Sequence, residues 1–155
     1  MKIFKKYRKA VLAVAGVLIV LHVIGGQVRG ARMFDRVQLK INAPMMTIRG
    51  ERFSIEISAK NSDRRAHRLY EVVLSPWYLE GVAVGRTEPA FEHLYVEKDA
   101  HRFRFDTPIK PGQEVSVQFE ALAAKTGDFP ATVSVCFDGN RACVPYPIRT
   151  IIEEQ

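Results

Sequence analysis

Hydrophobic and polar residues alternate with a period of two along most of the chain after residue 36. Residues 53–59 and 115–121 show the pattern clearly, because an apolar residue occupies every second position and Ser, Glu or Gln stands between. Successive side chains of a β-strand point to opposite faces, so this alternation predicts strands with one buried face. Similar alternation, or a short apolar run between turn residues, predicts further strands at 37–41, 69–74, 103–105, 133–137 and 144–152.

The strand pattern predicts the fold class. Short strands separated by turn residues are typical of two packed antiparallel sheets, and no soluble segment has a persuasive 3.6-residue period. We therefore expect residues 36–155 to be all-β, an immunoglobulin-like antiparallel β-sandwich of about seven strands. Pro145 and Pro147 place the last strand at a sheet edge, because proline lacks the N–H that a central strand donates. Residues 76–100 do not alternate and are expected to be irregular.

The N-terminus follows a different pattern. A basic segment at 1–9 precedes an apolar run at 10–26, in which His22 is the only strongly polar residue. The formal net charge of the chain is +6, and the five cations of residues 1–9 account for most of it. The rest of the chain is close to neutral and has little counterion-release driving force toward DNA or RNA. Nucleic-acid binding is therefore excluded, and the positive charge of residues 1–9 is assigned to a membrane signal.

The apolar run predicts one N-terminal transmembrane helix. A membrane span needs about 17–25 residues and a cleaved signal peptide about 7–15 apolar ones, so residues 10–26 favour an uncleaved anchor, with cleavage as the alternative. The basic segment should stay in the cytoplasm, which places the linker at 27–35 and the sandwich in the periplasm of a bacterial inner membrane. Ala10, Ala13 and Gly16 form a small-residue stripe that would suit helix packing, although ordinary alanine usage explains it equally well.

Three turn regions resemble those of bacterial extracytoplasmic immunoglobulin-like domains. They are Lys60-Asn61-Ser62-Asp63, the turn within Ile109–Val115, and Thr126–Phe129 ahead of the strand at 133–135. The most similar type is the cell-adhesion-related (CARDB-like) module, and the resemblance covers residues 36–152. It implies an assembly or spacer domain and brings no catalytic residues with it.

The two cysteines lie across one predicted hairpin. With Gly139-Asn140 as a two-residue turn, Cys136 stands directly opposite Cys143, and Asp138 stands opposite Arg141. Opposed residues of adjacent strands have Cα atoms about 4.5–5.5 Å apart, which suits a disulfide outside the cytoplasm. The bridge should lie on the outer face of its sheet. A redox site is not expected, because the spacing is not that of a Cys-X-X-Cys motif.

No catalytic or cofactor motif is recognisable. His67, His93 and His101 lack the spacing of a metal site. A copper site that adds Met45 and Met46 is an alternative, but packing of the two methionines at a strand edge is favoured. The chain has no nucleophile elbow and no phosphate-binding glycine loop. We expect no enzyme activity and no cofactor, and a small-molecule ligand is disfavoured.

Two segments are candidates for contact with a partner. One is a cationic loop, which would suit lipid headgroups or an acidic partner, and the other is the irregular stretch, where aromatic side chains anchor interfaces or stack on sugars. The candidate residues are Arg64, Arg65 and Arg68 in the loop, and Trp77, Tyr78, Leu79, Phe91 and Tyr95 in the stretch.

Three functions follow from these features. The favoured one is a non-catalytic accessory subunit of a larger membrane complex. The second is a carbohydrate- or ligand-binding module, which requires Trp77 and Tyr78, with or without Tyr95, on one exposed platform. The third is an extracytoplasmic metal or redox accessory protein.

Overall fold

The structure is a computed structural model and describes residues 36–139 and 142–155. This part of the chain forms ten strands and one short helix. In chain order they are β1 (Val37–Asn42), β2 (Met46–Ile48), β3 (Arg52–Asn61), β4 (His67–Leu74), α1 (Pro76–Leu79), β5 (Val82–Glu88), β6 (His93–Glu97), β7 (Ala100–Ile109), β8 (Glu114–Ala123), β9 (Gly127–Phe137) and β10 (Ala142–Glu153).

The strands form two sheets, which confirms the all-β sandwich. The four-stranded sheet has the order β1-β3-β8-β5 and the six-stranded sheet the order β2-β10-β9-β4-β7-β6. All pairs are antiparallel except β2 with β10, so the larger sheet is mixed.

The core lies between the sheets and consists of the alternating apolar residues. Phe119 of β8 packs edge-on against Phe103 of β7, with ring centroids 5.0 Å apart. Val133, Val135 and Phe137 of β9 are fully buried. Each strand presents alternate side chains to this layer, and burying them supplies most of the driving force for folding.

The seven predicted strands all lie within observed strands, but three observed strands were not predicted. Residues 76–100 are not irregular, because they contain α1, β5 and β6. The alternation of β5 is interrupted where its pairing with β8 shifts between Val84 and Thr87. All five residues of β6 are exposed, so no buried face left a pattern in the sequence. β2 has three residues, which is too few for a period.

The strands give the sandwich two distinct ends. β1 runs away from Arg36, and its register pairs Val37 with Asn61 at the end of β3. We call this the near end, and it also holds the 62–66 loop, the 110–113 turn and the end of β9. The opposite end is the far end, and it holds residues 43–51, α1 and residues 124–126. Amides of Gly50 and Ala124 bond there to carbonyls of Ala123 and Gly81.

The expectation that the last strand lies at a sheet edge holds for only part of β10, because β2 lies outside it in the sheet. β2 pairs only with Ile151, Ile152 and Glu153, so the part of β10 that carries Pro145 and Pro147 has β9 as its partner on one side. Proline there costs no ladder hydrogen bond, and it blocks pairing with another strand.

No helix in residues 36–139 or 142–155 is long and apolar enough to cross a membrane. The basic segment, the anchor at 10–26, its stripe of Ala10, Ala13 and Gly16, and the linker lie outside the described residues.

Candidate interaction surfaces

The predicted aromatic candidates do not form one exposed platform. Tyr78 is fully buried beneath α1, and its hydroxyl lies 2.9 Å from the hydroxyl of Thr150. Thr150 donates its own proton to the carbonyl of Pro44, so Tyr78 is the donor to Thr150. Burial raises the pKa of Tyr78 above its ordinary value. A buried tyrosine cannot stack on a sugar, which removes the platform that the carbohydrate-binding alternative requires.

Local sequence explains why Tyr78 enters the core while its neighbour does not. Pro76 stands in the first turn of α1, where proline is favoured, and four helical residues cannot all face the sandwich. Gly81 follows the helix, and a Cβ there would overlap the ring of Phe129. The glycine therefore allows the helix to sit close to β9.

The far end carries exposed apolar side chains next to this buried contact. Trp77 is 55% exposed, Met45 68% and Met46 58%. The contact from Tyr78 through Thr150 reaches Pro44, the residue before Met45, and the amide of Ile151 bonds to the carbonyl of Met45. The two methionines lie at the start of the edge strand β2, as expected, but their side chains are exposed instead of packed. We call Met45, Met46 and Trp77 the far-end patch.

Of the remaining candidates in this stretch, Leu79 ends α1, Phe91 precedes β6 and Tyr95 lies on β6. Phe91 is half-buried, with its ring edge-on to Phe103 at 5.4 Å between centroids, and Leu79 packs partly against the core. Tyr95 is exposed on β6, between the exposed Leu94 and Val96. β6 pairs only with β7 within the described residues. The sequence had pointed to the stretch that holds Leu94 and Tyr95 but had not singled out Val96, because apolar residues usually indicate burial.

The near end is organised by Asn61, which is fully buried. Its amide nitrogen donates to the carbonyls of Arg65 at 2.7 Å and Ile109 at 2.9 Å, and its side-chain oxygen accepts from the amide of Asp63 at 2.9 Å. Its backbone groups bond to the turn at 112–113. A single residue thus fixes the 62–66 loop against the 110–113 turn.

Most near-end acids are paired within the fold. Asp63 lies 3.2 Å from Nε2 of His67 and 3.6 Å from Nε of Arg36. Asp138 contacts Nδ1 of the same histidine at 2.8 Å. The Arg64 amide, and after it the His67 ring, lower the pKa of Asp63 below its ordinary value.

Of the three arginines in the predicted cationic loop, one is bonded to an aspartate and two are exposed. Arg68 donates from Nε to Asp106 at 2.8 Å and from its guanidinium to the Asp106 carbonyl, and this pairing lowers the pKa of the aspartate. Arg68 is therefore a structural residue. Arg64 and Arg65 are exposed, and within the described residues neither has a carboxylate partner.

The disulfide between Cys136 and Cys143 is confirmed. The register places the two cysteines directly opposite each other, and the Cα atoms are 3.9 Å apart. They alternate with the core residues Val135 and Val144, so the bridge lies on the outer face of the six-stranded sheet. Gly139 has the positive φ of a turn residue, whereas the predicted pairing of Asp138 with Arg141 lies outside the described residues.

The hairpin is also held to β4. The Asp138 amide donates to the Arg68 carbonyl at 3.1 Å, and one carboxylate oxygen accepts from the Arg68 amide at 2.9 Å. Asp138 also contacts His67, so the histidine belongs to a cluster that holds the hairpin to β4. Within residues 36–139 and 142–155, no three His, Cys, Asp or Glu side chains are placed to hold a metal ion.

No protein-family model matches the chain, and no curated protein sequence matches it. Among solved structures, it is similar to AvmM, described as catalysing macrocyclization in alchivemycin A biosynthesis. The TM-score is 0.52 at 9% identity, over 78% of this chain and 90% of that one. At such identity the likeness shows the fold alone.

Two further structures are less similar. The cupredoxin domain of amoB from Nitrosocaldus yellowstonii matches with a TM-score of 0.47 at 8% identity, over 76% of this chain and 87% of that one. The alpha-2-macroglobulin of E. coli matches with a TM-score of 0.46 at 12% identity, over 77% of this chain, which spans only 7% of that protein. Likenesses of this strength support no functional argument.

Proposed function

We propose that the protein is a non-catalytic accessory or structural subunit with a single membrane anchor. Residues 10–26 anchor it in a bacterial inner membrane, and residues 1–9 lie in the cytoplasm. Residues 36–155 form an immunoglobulin-like domain of the CARDB-like type in the periplasm. This domain makes protein–protein contacts within a larger membrane complex.

The far-end patch is the observation that carries the proposal. Its three large apolar side chains are all exposed at the far end, Met45 by 68%, Met46 by 58% and Trp77 by 55%. Tryptophan and methionine are enriched at protein interfaces, and tryptophan often anchors them, because one side chain contributes much contact area. Exposed apolar side chains grouped at one end of a domain favour contact with a partner there.

The position of the patch fits an anchored subunit. The chain enters the sandwich at the near end, through Arg36. β10 has 12 residues and spans about 40 Å at about 3.3 Å per residue. An anchor before residue 36 would therefore hold the near end toward the membrane and present the far-end patch to a partner some 40 Å beyond it.

The test begins with gentle solubilisation of source membranes, native electrophoresis and mass spectrometry. We expect the chain in a large assembly, with peptides from residues 1–26 intact. Recovery as a small species that begins near residue 26 or 27 would contradict the proposal, because it would mean a secreted domain.

A pair of matched variants tests the surface. The triple variant Met45→Ser, Met46→Ser and Trp77→Ser should release the protein from the assembly while leaving its thermal unfolding close to wild type. The control removes three exposed side chains elsewhere: Leu94→Ser, Tyr95→Ser and Val96→Ser, all on β6. Release by the control variant alone would assign the contact to the β6 edge and refute the role of the far-end patch.

A further inference from the structure

The near end carries a cationic platform that is built into the fold. Arg64 and Arg65 are exposed in the 62–66 loop, and Lys110 is exposed at the start of the adjoining turn. Asn61 donates to the carbonyls of Arg65 and Ile109, so one buried side chain holds both segments together. We call Arg64, Arg65 and Lys110 the near-end platform.

The acids around this platform are engaged elsewhere. Asp63 contacts Arg36 and His67, and Asp138 contacts His67 and the amide of Arg68. Asp106 is bonded to Arg68. Glu114 is exposed at the start of β8, where the register places it opposite Lys60. Opposite charges at directly paired positions of a sheet attract one another, so this acid is balanced by its own neighbour. The platform therefore presents a positive surface.

The chain enters the domain beside the same platform. The amide of Ser62 donates to the carbonyl of Arg36 at 2.8 Å, which fixes the first described residue against the 62–66 loop. The linker at 27–35 spans at most about 30 Å when fully extended, at roughly 3.3–3.6 Å per residue. An anchor at 10–26 would thus keep the platform within reach of the bilayer surface.

We infer that the near-end platform docks on the headgroups of anionic lipids and so holds the sandwich upright on the membrane. This inference rests on the anchored subunit proposed above and adds the surface that orients it. Each cation close to an anionic leaflet favours the docked state by about 1 kcal/mol, which is about fivefold. Three cations on one surface would shift the ratio of docked to undocked domain on the order of a hundredfold.

An acidic protein partner is the less favoured occupant. A membrane is necessarily close to the near end of an anchored chain, whereas a protein partner would have to enter the space between the domain and the bilayer. The exposed side chains of the far end also offer a protein a larger apolar contact.

The test uses the full chain in lipid nanodiscs of phosphatidylcholine alone or of phosphatidylcholine with phosphatidylglycerol. A fluorophore is attached at Ser62→Cys, which is exposed beside the platform, or at Ala124→Cys, which is exposed at the far end. Lipids with a quencher at the headgroup report how close each label lies. We expect strong quenching at residue 62 only in the anionic discs, little quenching at residue 124, and loss of the difference at high salt.

Charge variants identify the side chains. The triple variant Arg64→Ser, Arg65→Ser and Lys110→Ser should reduce quenching at residue 62 to its level in phosphatidylcholine, and each single variant should weaken docking about fivefold. The matched control removes three far-end cations, through Arg49→Ser, Arg52→Ser and Lys125→Ser, and should leave the quenching unchanged.

The outcomes separate the two proposals. A chain that does not enter the discs would refute the anchor, and the docking with it. A chain that enters the discs but shows equal quenching at residue 62 in both lipid mixtures would overturn the docking alone. Equal quenching of the two labels would also overturn it, because the domain would then lie flat.

Discussion

The two ends of the sandwich are built on different principles. At the far end an aromatic side chain, Tyr78, fills the space under α1, and Met45, Met46 and Trp77 are exposed at the same end. At the near end a buried amide, Asn61, ties loop to turn, and paired charges cover it. Apolar burial tolerates approximate geometry, whereas a hydrogen-bonded cluster requires every partner in place. The far end therefore suits an adaptable protein contact and the near end a fixed display of charge.

Removal of the Tyr78 ring should have the largest effect on stability. Tyr78→Ala deletes a fully buried aromatic side chain and should cost about 3–5 kcal/mol in the free energy of unfolding. Tyr78→Phe removes only the bond to Thr150 and should cost about 1 kcal/mol. Urea unfolding measures both. The exposed neighbour is the control, since Trp77→Ala should stay within about 0.5 kcal/mol of wild type. Equal effects at residues 77 and 78 would contradict the packing of α1.

Loss of the disulfide should have the second-largest effect on the free energy of unfolding. The Cys136→Ala and Cys143→Ala double variant should lower the free energy of unfolding by about 2.5 kcal/mol, because a short closed loop restricts the unfolded chain. Reduction of the wild-type protein should reproduce the effect. The far end should still form after reduction, and backbone hydrogen exchange in residues 76–80 would report it. If hydrogen exchange rises first at the far end, the two ends do not unfold independently of each other.

Loss of the Asn61 hydrogen bonds should lower the free energy of unfolding slightly less than loss of the disulfide does. Asn61→Ala removes three side-chain hydrogen bonds, one of them to a buried carbonyl, and should cost about 2 kcal/mol, at about 0.7 kcal/mol per hydrogen bond. Faster hydrogen exchange should be confined to the 62–66 loop and the 110–113 turn. Asn42→Ala, at the exposed end of β1, is the control and should change little. An unaltered loop in Asn61→Ala would show that the charge pairs alone hold the near end.

The pH dependence of stability should differ between the two ends. It should be the smallest of these effects. The folded pKa of Asp63 is lowered, so its stabilisation is present above the ordinary aspartate pKa of about 4 and is lost as pH falls through the folded value. The folded pKa of Tyr78 is raised, so its stabilisation is lost as pH rises above about 10.

Hydrogen exchange in the two segments checks this contrast. Residues 62–66 should loosen in acid and residues 77–80 in alkali. Asp128, paired with Arg149 near the far end, also has a lowered pKa. The measurement is therefore made in the Asp128→Asn variant, which removes this second acid-sensitive pair. Simultaneous loosening of both segments at one pH would mean that the two ends unfold as a unit.

The sequence predicted much of the fold because the information was local. Period-two alternation marks a strand with one buried face, and the seven strands of that kind were all found. β6 was missed because both of its faces are exposed, and β5 because an irregular register disrupts its period. Neither feature appears in a pattern of apolar positions.

The candidate surfaces were predictable only in part. Arg64, Arg65 and Trp77 lie exposed, whereas Tyr78 is buried and Arg68 is committed to Asp106. Three adjacent bulky residues implied that at least one would be exposed, but the choice depended on which side of α1 faces β9. Lys110 joined the near-end platform only through Asn61, which is distant from it in sequence.

The amino-acid sequence by itself determined the all-β class, most strand positions and the pairing of Cys136 with Cys143. Alternation and turn chemistry act between neighbours in the chain, so they are visible in the sequence alone. Only the tertiary structure decided that the first residue of the domain, the Arg64 loop and the 110–113 turn share one end, and that Met45 and Trp77 share the other. Strands of different sequence position end together only after two sheets have assembled, because sheet order and strand direction are properties of the whole domain.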